Sequence, residues 1–306
     1  MEPHFGRRLL LGAPAVAALG LVLPIADRAT ADTADRTGRR TGHADLTGRF
    51  RALEREHGAR LGVFAHDTGS GATVRYRADE LFPMCSTFKT LAVGAVLDGG
   101  DDLSARVHYT EADVTDSGYG PVTGRPENLA GGLTVAELCA AAIEFSDNAA
   151  ANLLLRRLGG PTAVTRFCRA IGDPVTRLDR WEPALNSAEP DRVTDTTTPH
   201  ALARDYARLV LGPVLAPPDR DRLRGWLLGN TTGAHRLRAG LPPSWTLADK
   251  TGTGSHGTAN DAGLTWPPNR APITLAVLTT HPTTRDAPTD EPLLATTAHL
   301  IAEALS

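Results

Sequence analysis

Strand-like segments lie at both ends of this 306-residue chain, and a long stretch of helical period separates them. Leu61–Ala65 and Ala72–Tyr76 flank Thr68-Gly69-Ser70-Gly71, which is the pattern of a β-hairpin. Further strands are predicted at Thr246–Lys250, Thr258–Thr265 and Ile273–Thr280. Between these ends the apolar spacing predicts helices over Thr87–Leu97, Val135–Phe145, Ala149–Leu158, Thr162–Ile171, Pro199–Leu211 and Pro218–Leu228. Two more helices, Ala44–His57 and Glu291–Leu305, flank the whole. A sheet fed from both termini has to close around what is inserted between them. The expected fold class is therefore α/β with two lobes. One is an α/β lobe, an antiparallel sheet with flanking helices, at about 44–84 and 230–306. The other is an inserted all-α lobe at about 85–229, and the cleft between the two is the natural place for a site.

Charge use points to the same cleft. Of 32 basic side chains only two are lysines, Lys89 and Lys250. Arginine stays protonated under all ordinary conditions, whereas a lysine amine can have its pKa moved and can give up a proton. Lys89 closes Ser86-Thr87-Phe88-Lys89 and Lys250 opens Lys250-Thr251-Gly252. With nine serines and two lysines in the chain, a chance S-x-x-K match is expected only about 0.06 times. A serine hydroxyl needs a nearby base to become a nucleophile. On a helix, positions i and i+3 share a face, so Lys89 is expected to reach the hydroxyl of Ser86.

The first 31 residues read as an export signal. Arg7-Arg8 precedes an apolar run from Leu9 to Ile25, and Ala29-Thr30-Ala31 offers small residues for cleavage. That run, broken by Gly12, Pro14, Gly20 and Pro24, is short for a stable membrane span. The paired arginines point to the twin-arginine route. Residues 32–43 read as a flexible leader, and 44–306 as the folded domain. Removing residues 1–31 takes away three basic and two acidic side chains, so the formal charge moves from −3 to −4. This mild acidity argues against nucleic acid or an anionic membrane as partner. The mature chain is expected to be secreted and monomeric, with no membrane association once the signal is removed. Cys85, Cys139 and Cys168 cannot all pair within one molecule, and they are expected as buried thiols. The ten histidines contain no H-x-H or H-E-x-x-H spacing, so neither a metal nor another cofactor is expected.

Two further motifs follow in order: Ser146-Asp147-Asn148, and Arg180-Trp181-Glu182-Pro183-Ala184-Leu185-Asn186. Together with S-x-x-K and Lys250-Thr251-Gly252-Thr253-Gly254, they make the chain resemble a class A serine β-lactamase, over nearly all of the mature sequence. The resemblance implies small-molecule β-lactam substrates, penicillins and also cephalosporins, hydrolysed through an acyl-enzyme on Ser86. It implies backbone N–H groups of Ser86 and Thr253 as the oxyanion hole, and Ser146 with Lys250 as the proton path to the leaving nitrogen. Glu182 and Asn186 would hold the water that frees the enzyme, and the first proton would go either to Lys89 or, through water, to Glu182. Arg180 and Asp195 would close the neck of an omega loop, with a cis Glu182–Pro183 bond. Asn148, Lys250, Thr251, Gly252 and Thr253 would bind substrate, and Tyr119 would wall the cleft.

Several positions depart from the family pattern. A second acid of the omega loop is replaced by Ala184. The arginine often found beyond the K-T-G strand is Ala259 here, and Arg236, rather than Arg238, is assigned to supply that guanidinium. Gly254 and Val93 remove the partners that Cys85 and Cys139 have in some relatives. Each motif alone has a plain structural reading. Ser146-Asp147-Asn148 is a helix cap, Lys250-Thr251-Gly252 a strand end, and Glu182-Pro183 a surface loop. Their ordered joint occurrence favours the enzyme. The alternatives are a D-alanyl-D-alanine peptidase, which lacks an equivalent of Glu182, and a catalytically silent β-lactam-binding sensor domain.

Overall fold

A computed structural model describes residues 45–306; the segments expected as signal and leader lie outside the described residues. In chain order the elements are α1 (45–57), β1 (Arg60–Asp67), β2 (Thr73–Tyr76), β3 (Phe82–Pro83), α2 (Phe88–Asp98), β4 (Arg106–Val107) and α3 (Glu111–Ser117). There follow α4 (Pro126–Gly131), β5 (Leu133–Thr134), α5 (Val135–Glu144), α6 (Asn148–Leu158), α7 (Thr162–Ala170), β6 (Thr196–Thr197), α8 (Pro199–Val210) and α9 (Pro217–Leu228). The chain ends with α10 (Leu237–Gly240), β7 (Thr246–Gly254), β8 (Thr258–Trp266), β9 (Ile273–Thr280) and α11 (Glu291–Leu305). The five long strands form one antiparallel sheet in the order β2-β1-β9-β8-β7. It is the α/β architecture with an inserted helical region that the segment order predicts.

Strand periodicity explains why this sheet needs cover on both faces. Successive side chains of a strand point to opposite sides. Leu61 and Val63 of β1, with Leu275 and Val277 of β9, enter one core beside Phe50, Leu293 and Ile301 of the terminal helices. Phe64, Ala276, Leu278, Ala262 and Leu264 enter the other core, which is shared with α2, α5, α6, α8 and α9. The two lobes therefore share packing, and the sheet's inner face is their common wall.

Helix α2 runs through the middle of the second core, and every residue from Phe88 to Leu97 is buried. A helix that is apolar all round belongs inside, and the one ionisable side chain in that buried stretch is Lys89. The surrounding helices start where the sequence provides caps. Thr134 and Glu137 form a reciprocal capping box on α5, the Asp147 side chain accepts from Ala150 N on α6, and Thr198 caps α8.

Three features differ from the expectations. Ser86 lies in a 3-10 turn, Cys85–Thr87, ahead of α2 rather than on the α-helix. The strand expected to stop at Lys250 continues to Gly254, so the whole K-T-G-T-G segment is extended and paired with β8. The short helices α3, α4 and α10 lack the two full turns needed for a readable apolar period.

Helix α10 packs against α11 through Gly240. A Cβ added there would stand 1.8 Å from the carbonyl oxygen of Ala295. We expect Gly240→Ala to lower stability by about 3 kcal/mol, the upper end for an overpacked contact, because the obstacle is backbone. A urea midpoint equal to that of the parent chain would show that α10 can shift away freely.

Candidate active site

The sequence places Ser86 in a turn pinned from several sides. Cys85 adopts a left-handed conformation with φ 45° just before it. Met84 N donates to Asp195 O at 3.0 Å, and Asn260 Nδ2 donates to the carbonyls of Pro83 and Met84 at 2.8 and 3.2 Å. Tyr206, fully buried on α8, donates its hydroxyl to Thr87 O at 2.8 Å. Strand β7 can approach this turn only because it carries glycine there. A Cβ on Gly252 would sit 2.8 Å from Met84 O, and one on Gly254 would sit 2.7 Å from both Cys85 Sγ and Asn186 O. Cys85, Cys139 and Cys168 are all free, buried thiols.

Glu182 reaches the turn from the 180–195 segment. Its carboxylate is buried, and Ser86 Oγ donates to Glu182 Oε1 at 3.2 Å. The other oxygen, Oε2, accepts from Asn186 Nδ2 at 2.5 Å. The Glu182–Pro183 peptide is cis. Asn152 on α6 holds the backbone of Glu182 at both ends, donating from Nδ2 to its carbonyl and accepting from its N–H, each at 3.0 Å. The neck of the segment is an ion pair, Arg180 Nε to Asp195 Oδ2 at 2.5 Å. Asp195 Oδ1 also accepts the N–H groups of Asp179 and Arg180, which makes the closure charge-assisted as well as ionic. Arg180 Nη1 also donates to Ser187 Oγ at 2.8 Å.

Both lysine ammonium groups lie inside this arrangement, with no solvent exposure. Lys89 Nζ donates to Ser146 O and Asn148 Oδ1, each at 2.7 Å, and lies 3.2 Å from Glu182 Oε1. Lys250 Nζ donates to Ser146 Oγ at 3.0 Å and to Thr251 O at 2.9 Å. Ser146, at φ 57°, thus stands between the two cations. The hydrogen bond expected between Lys89 and Ser86 is not formed among the described residues. An ammonium has three donors, and the acceptors just named use them. Burial pushes the Lys89 amine below the ordinary lysine range, while the negative charge of Glu182 opposes that shift. Lys250 is pushed well below it by burial and then by the charge of Lys89.

The other expected binding residues lie along β7 and its neighbours. Arg236, buried, donates to the carbonyls of Gly252 and Asn260 at 2.8 and 2.9 Å and to Thr253 Oγ1 at 2.7 Å. Glu291 accepts from its Nε at 3.1 Å. Arg238 points away and binds the carbonyls of Trp245, Leu241 and Pro242. Ala259 pairs in register with Thr253 but packs into the core of the terminal helices. Thr251 Oγ1 meets Thr232 Oγ1, and Asn148 Nδ2 donates to Ser117 O at 3.0 Å. Tyr119 is half exposed, and its carbonyl accepts from Asn148 N at 2.8 Å. Asn152, Asn260 and Tyr206 were not singled out in the sequence. Asn152 had a signal, since it stands four residues after Asn148 on the same helix face. Asn260 had one too, since Asn260-Asp261 places two residue types that are depleted in strands side by side within β8.

A serine hydroxyl, a buried carboxylate and two desolvated amines thus meet within hydrogen-bonding distance, which suits nucleophilic attack with proton transfer. Comparison with known proteins bears on the same residues. The profile of the Beta-lactamase enzyme family matches residues 45–305. The β-lactamase of Streptomyces lavendulae is 64% identical over 268 residues, which are 86% of this chain and 88% of that protein. The solved β-lactamase from Streptomyces albus G superposes with a TM-score of 0.84 at 61% identity, covering 86% of this chain and all of the other. The class A β-lactamase from Clostridium kluyveri DSM 555 gives a TM-score of 0.82 at 42% identity, covering 86% of this chain and 99% of that one.

With only two lysines in the chain, carbon-13 labelling of the lysine ε-position gives one resolvable titration for each. Both should titrate below the free-lysine value of about 10.4. Glu182→Gln should lower the Lys89 value further, because it removes the charge that holds that ammonium protonated. A Lys89 titration that rises in this variant would contradict the electrostatics above.

Proposed function

The chain belongs to the class A serine β-lactamases, hydrolases acting on the β-lactam amide and conferring antibiotic resistance, and on that premise we propose the residue that carries each step of its reaction. Ser86 Oγ attacks the lactam carbonyl carbon. Its proton passes to Glu182, directly or through water, and the hydrogen bond from Ser86 to Glu182 supports that acceptor over Lys89. The backbone N–H groups of Ser86 and Thr253 stabilise the oxyanion. As the tetrahedral intermediate collapses, the C–N bond breaks and Ser146 protonates the departing nitrogen. Ser146 Oγ accepts from Lys250 at 3.0 Å and lies 3.4 Å from Lys89 Nζ; Lys89 restores its proton and takes one in turn from Glu182, 3.2 Å away, so the carboxylate is again free to act as a base.

The acyl-enzyme is then hydrolysed by a water held by Glu182 and Asn186. The observation that carries this reading is the buried carboxylate 3.2 Å from the Ser86 hydroxyl. Asn186 adds support, because its Oδ1 is buried and accepts no hydrogen bond among the described residues, which leaves an acceptor for such a water. A peptidase would have no counterpart of Glu182, and a sensor would stay acylated. No metal takes part in this scheme.

Penicillins and cephalosporins are the proposed substrates. Their carboxylate would meet Lys250, Thr251 and Thr253, with Asn148 on the side-chain amide and Tyr119 as a wall. Arg236 acts here through Thr253. The guanidinium occupies an acceptor position of the threonine oxygen, so the hydroxyl proton is left to donate to the substrate. We further propose export with removal of residues 1–31, a leader at 32–43, a monomeric mature enzyme, and lobe boundaries near residues 84 and 230.

Glu182→Ala should slow acylation, which is left with Lys89 as its base, slow deacylation more, and cut turnover by about 10²–10⁴-fold, the usual range for a lost general base. Mass spectrometry should then find a lasting adduct on Ser86. Unchanged steady-state hydrolysis of a chromogenic cephalosporin would remove Glu182 from this role, and loss of parent activity in EDTA would contradict the metal-free scheme. Thr253→Ala should lower kcat/KM for a cephalosporin more than for a penicillin. Equal losses would mean that the hydroxyl does not select between them.

A further inference from the structure

Away from the cleft, α7, the turn after it and α8 bring one thiol and two carboxyl groups together. Cys168, Asp173 and Asp205 are all buried, and one donor atom from each lies within 4.8 Å of the others. Asp173 is fixed as an acceptor: its Oδ1 takes Val175 N at 2.7 Å and Thr176 N at 3.2 Å, and Oδ2 takes Thr176 N at 3.2 Å. Its own N–H donates to Cys168 O at 2.8 Å, which closes the turn around the thiol. Asp205 Oδ1 has only a long contact to Arg208, 3.5 Å. Asp205 Oδ2 is buried with no N–H or hydroxyl donor among the described residues; it faces the Asp173 carboxyl, and burial together with that neighbouring charge pushes the Asp205 carboxyl up to about 9. Native proteins rarely leave a buried polar atom unanswered. Two carboxylates facing each other in a dry site need a positive charge between them. Either a single proton or a metal ion can supply it.

We propose that Cys168, Asp173 and Asp205 bind a thiophilic divalent cation of the zinc class. The sulfur decides the class, because thiolate favours zinc or cadmium over calcium or magnesium. Tetrahedral zinc ligands at about 2.0–2.3 Å stand about 3.3–3.5 Å apart, so from donor atoms within 4.8 Å of one another the side chains must draw together by up to about 1.5 Å to close the set. A cavity of about 230 Å³ reaches both carboxylates, giving the ion a route in and a water for the fourth position. The site is separate from catalysis but adjoins the neck of the 180–195 segment. Thr176 Oγ1 meets Thr197 Oγ1 at 2.7 Å, and Arg177 N donates to Thr196 O at 3.0 Å. A bound ion would therefore tie α7 and α8 to the base of that neck.

The test is titration of the purified chain with Cd²⁺, following the ultraviolet thiolate-to-cadmium absorption. One equivalent should produce the band. Cys139→Ser should retain it, and Cys168→Ser should lose it. Asp205→Asn should weaken cadmium binding at least about tenfold, since a ligand is worth no less than the outer-shell groups that cost 10–100-fold. Zn²⁺ should raise Tm in the parent chain and leave it unchanged in Cys168→Ser. β-Lactam hydrolysis by metal-free Cys168→Ser should match the parent, which keeps this result independent of the catalytic scheme. Absence of the band at one equivalent, or its survival in Cys168→Ser, overturns the site and leaves a shared proton between Asp173 and Asp205.

Discussion

Two ammonium groups are buried in the interior of this protein, and the surrounding architecture answers that cost. Taking a single ion out of water costs several kcal/mol even after relaxation, unless other groups replace its hydration. For Lys89 the replacements are three groups from two separate stretches of chain: the Ser146 carbonyl and the Asn148 amide from one, and the Glu182 carboxylate from the other. None of the three would stay in place without further support. Ser146 and Asn148 bracket Asp147, whose carboxylate caps α6 and binds the N–H groups of Val122 and Thr123. Glu182 is held by Asn152, a neighbour of Asn148 on the same helix face. Helix α6 thus orients both the amide and the acid that neutralise the charge on α2.

Left-handed backbone recurs at these anchor points. Eight non-glycine residues among those described have positive φ, and Cys85, Ser146 and Asp195 are three of them. Such conformations cost about 1–3 kcal/mol each and persist only where the surroundings over-determine them. Here the surroundings do. The Cys85 turn is fixed by Asn260, Asp195 and Tyr206, and Ser146 is fixed by contacts from both lysines. Asp195 accepts two N–H groups and an arginine. The strained positions are those that aim a hydroxyl or close a loop.

Long periodic elements and the hairpin strand β2 are legible in the sequence, whereas the short helices and the two-residue strands are not. Strand β9 and helix α11 could be read to the residue because their apolar patterns run for 8 and 15 positions. The sequence predicts a strand that stops at Lys250, because Thr251-Gly252-Thr253-Gly254 has turn-like composition. Only the packing of β7 on the Cys85 turn explains glycine there. The order of the catalytic motifs was plain in the sequence, but their distances were not. A local i, i+3 argument paired Lys89 with Ser86, whereas contacts 57 and 59 residues away in sequence take the ammonium's donors. A period-based reading sees neighbours along one helix and has no access to competitors that arrive from elsewhere in the fold.

The same limit applies to Arg236 and Arg238, two residues apart and chemically alike. What separates them is the chain direction where α10 begins. Arg236 is the last residue before the helix, and its side chain runs under β7 to the carbonyls of Gly252 and Asn260. Arg238 lies within the helix and faces its C-terminal end, where its guanidinium binds the carbonyls of Leu241 and Pro242. Cations are favoured near free carbonyls at a helix end, so Arg238 is already stabilised where it stands. Gly240 lets α10 approach α11 closely, and Glu291 on α11 accepts from Arg236. The guanidinium beside Thr253 is therefore set by contacts at the rear of the sheet, remote in sequence from the strand it serves.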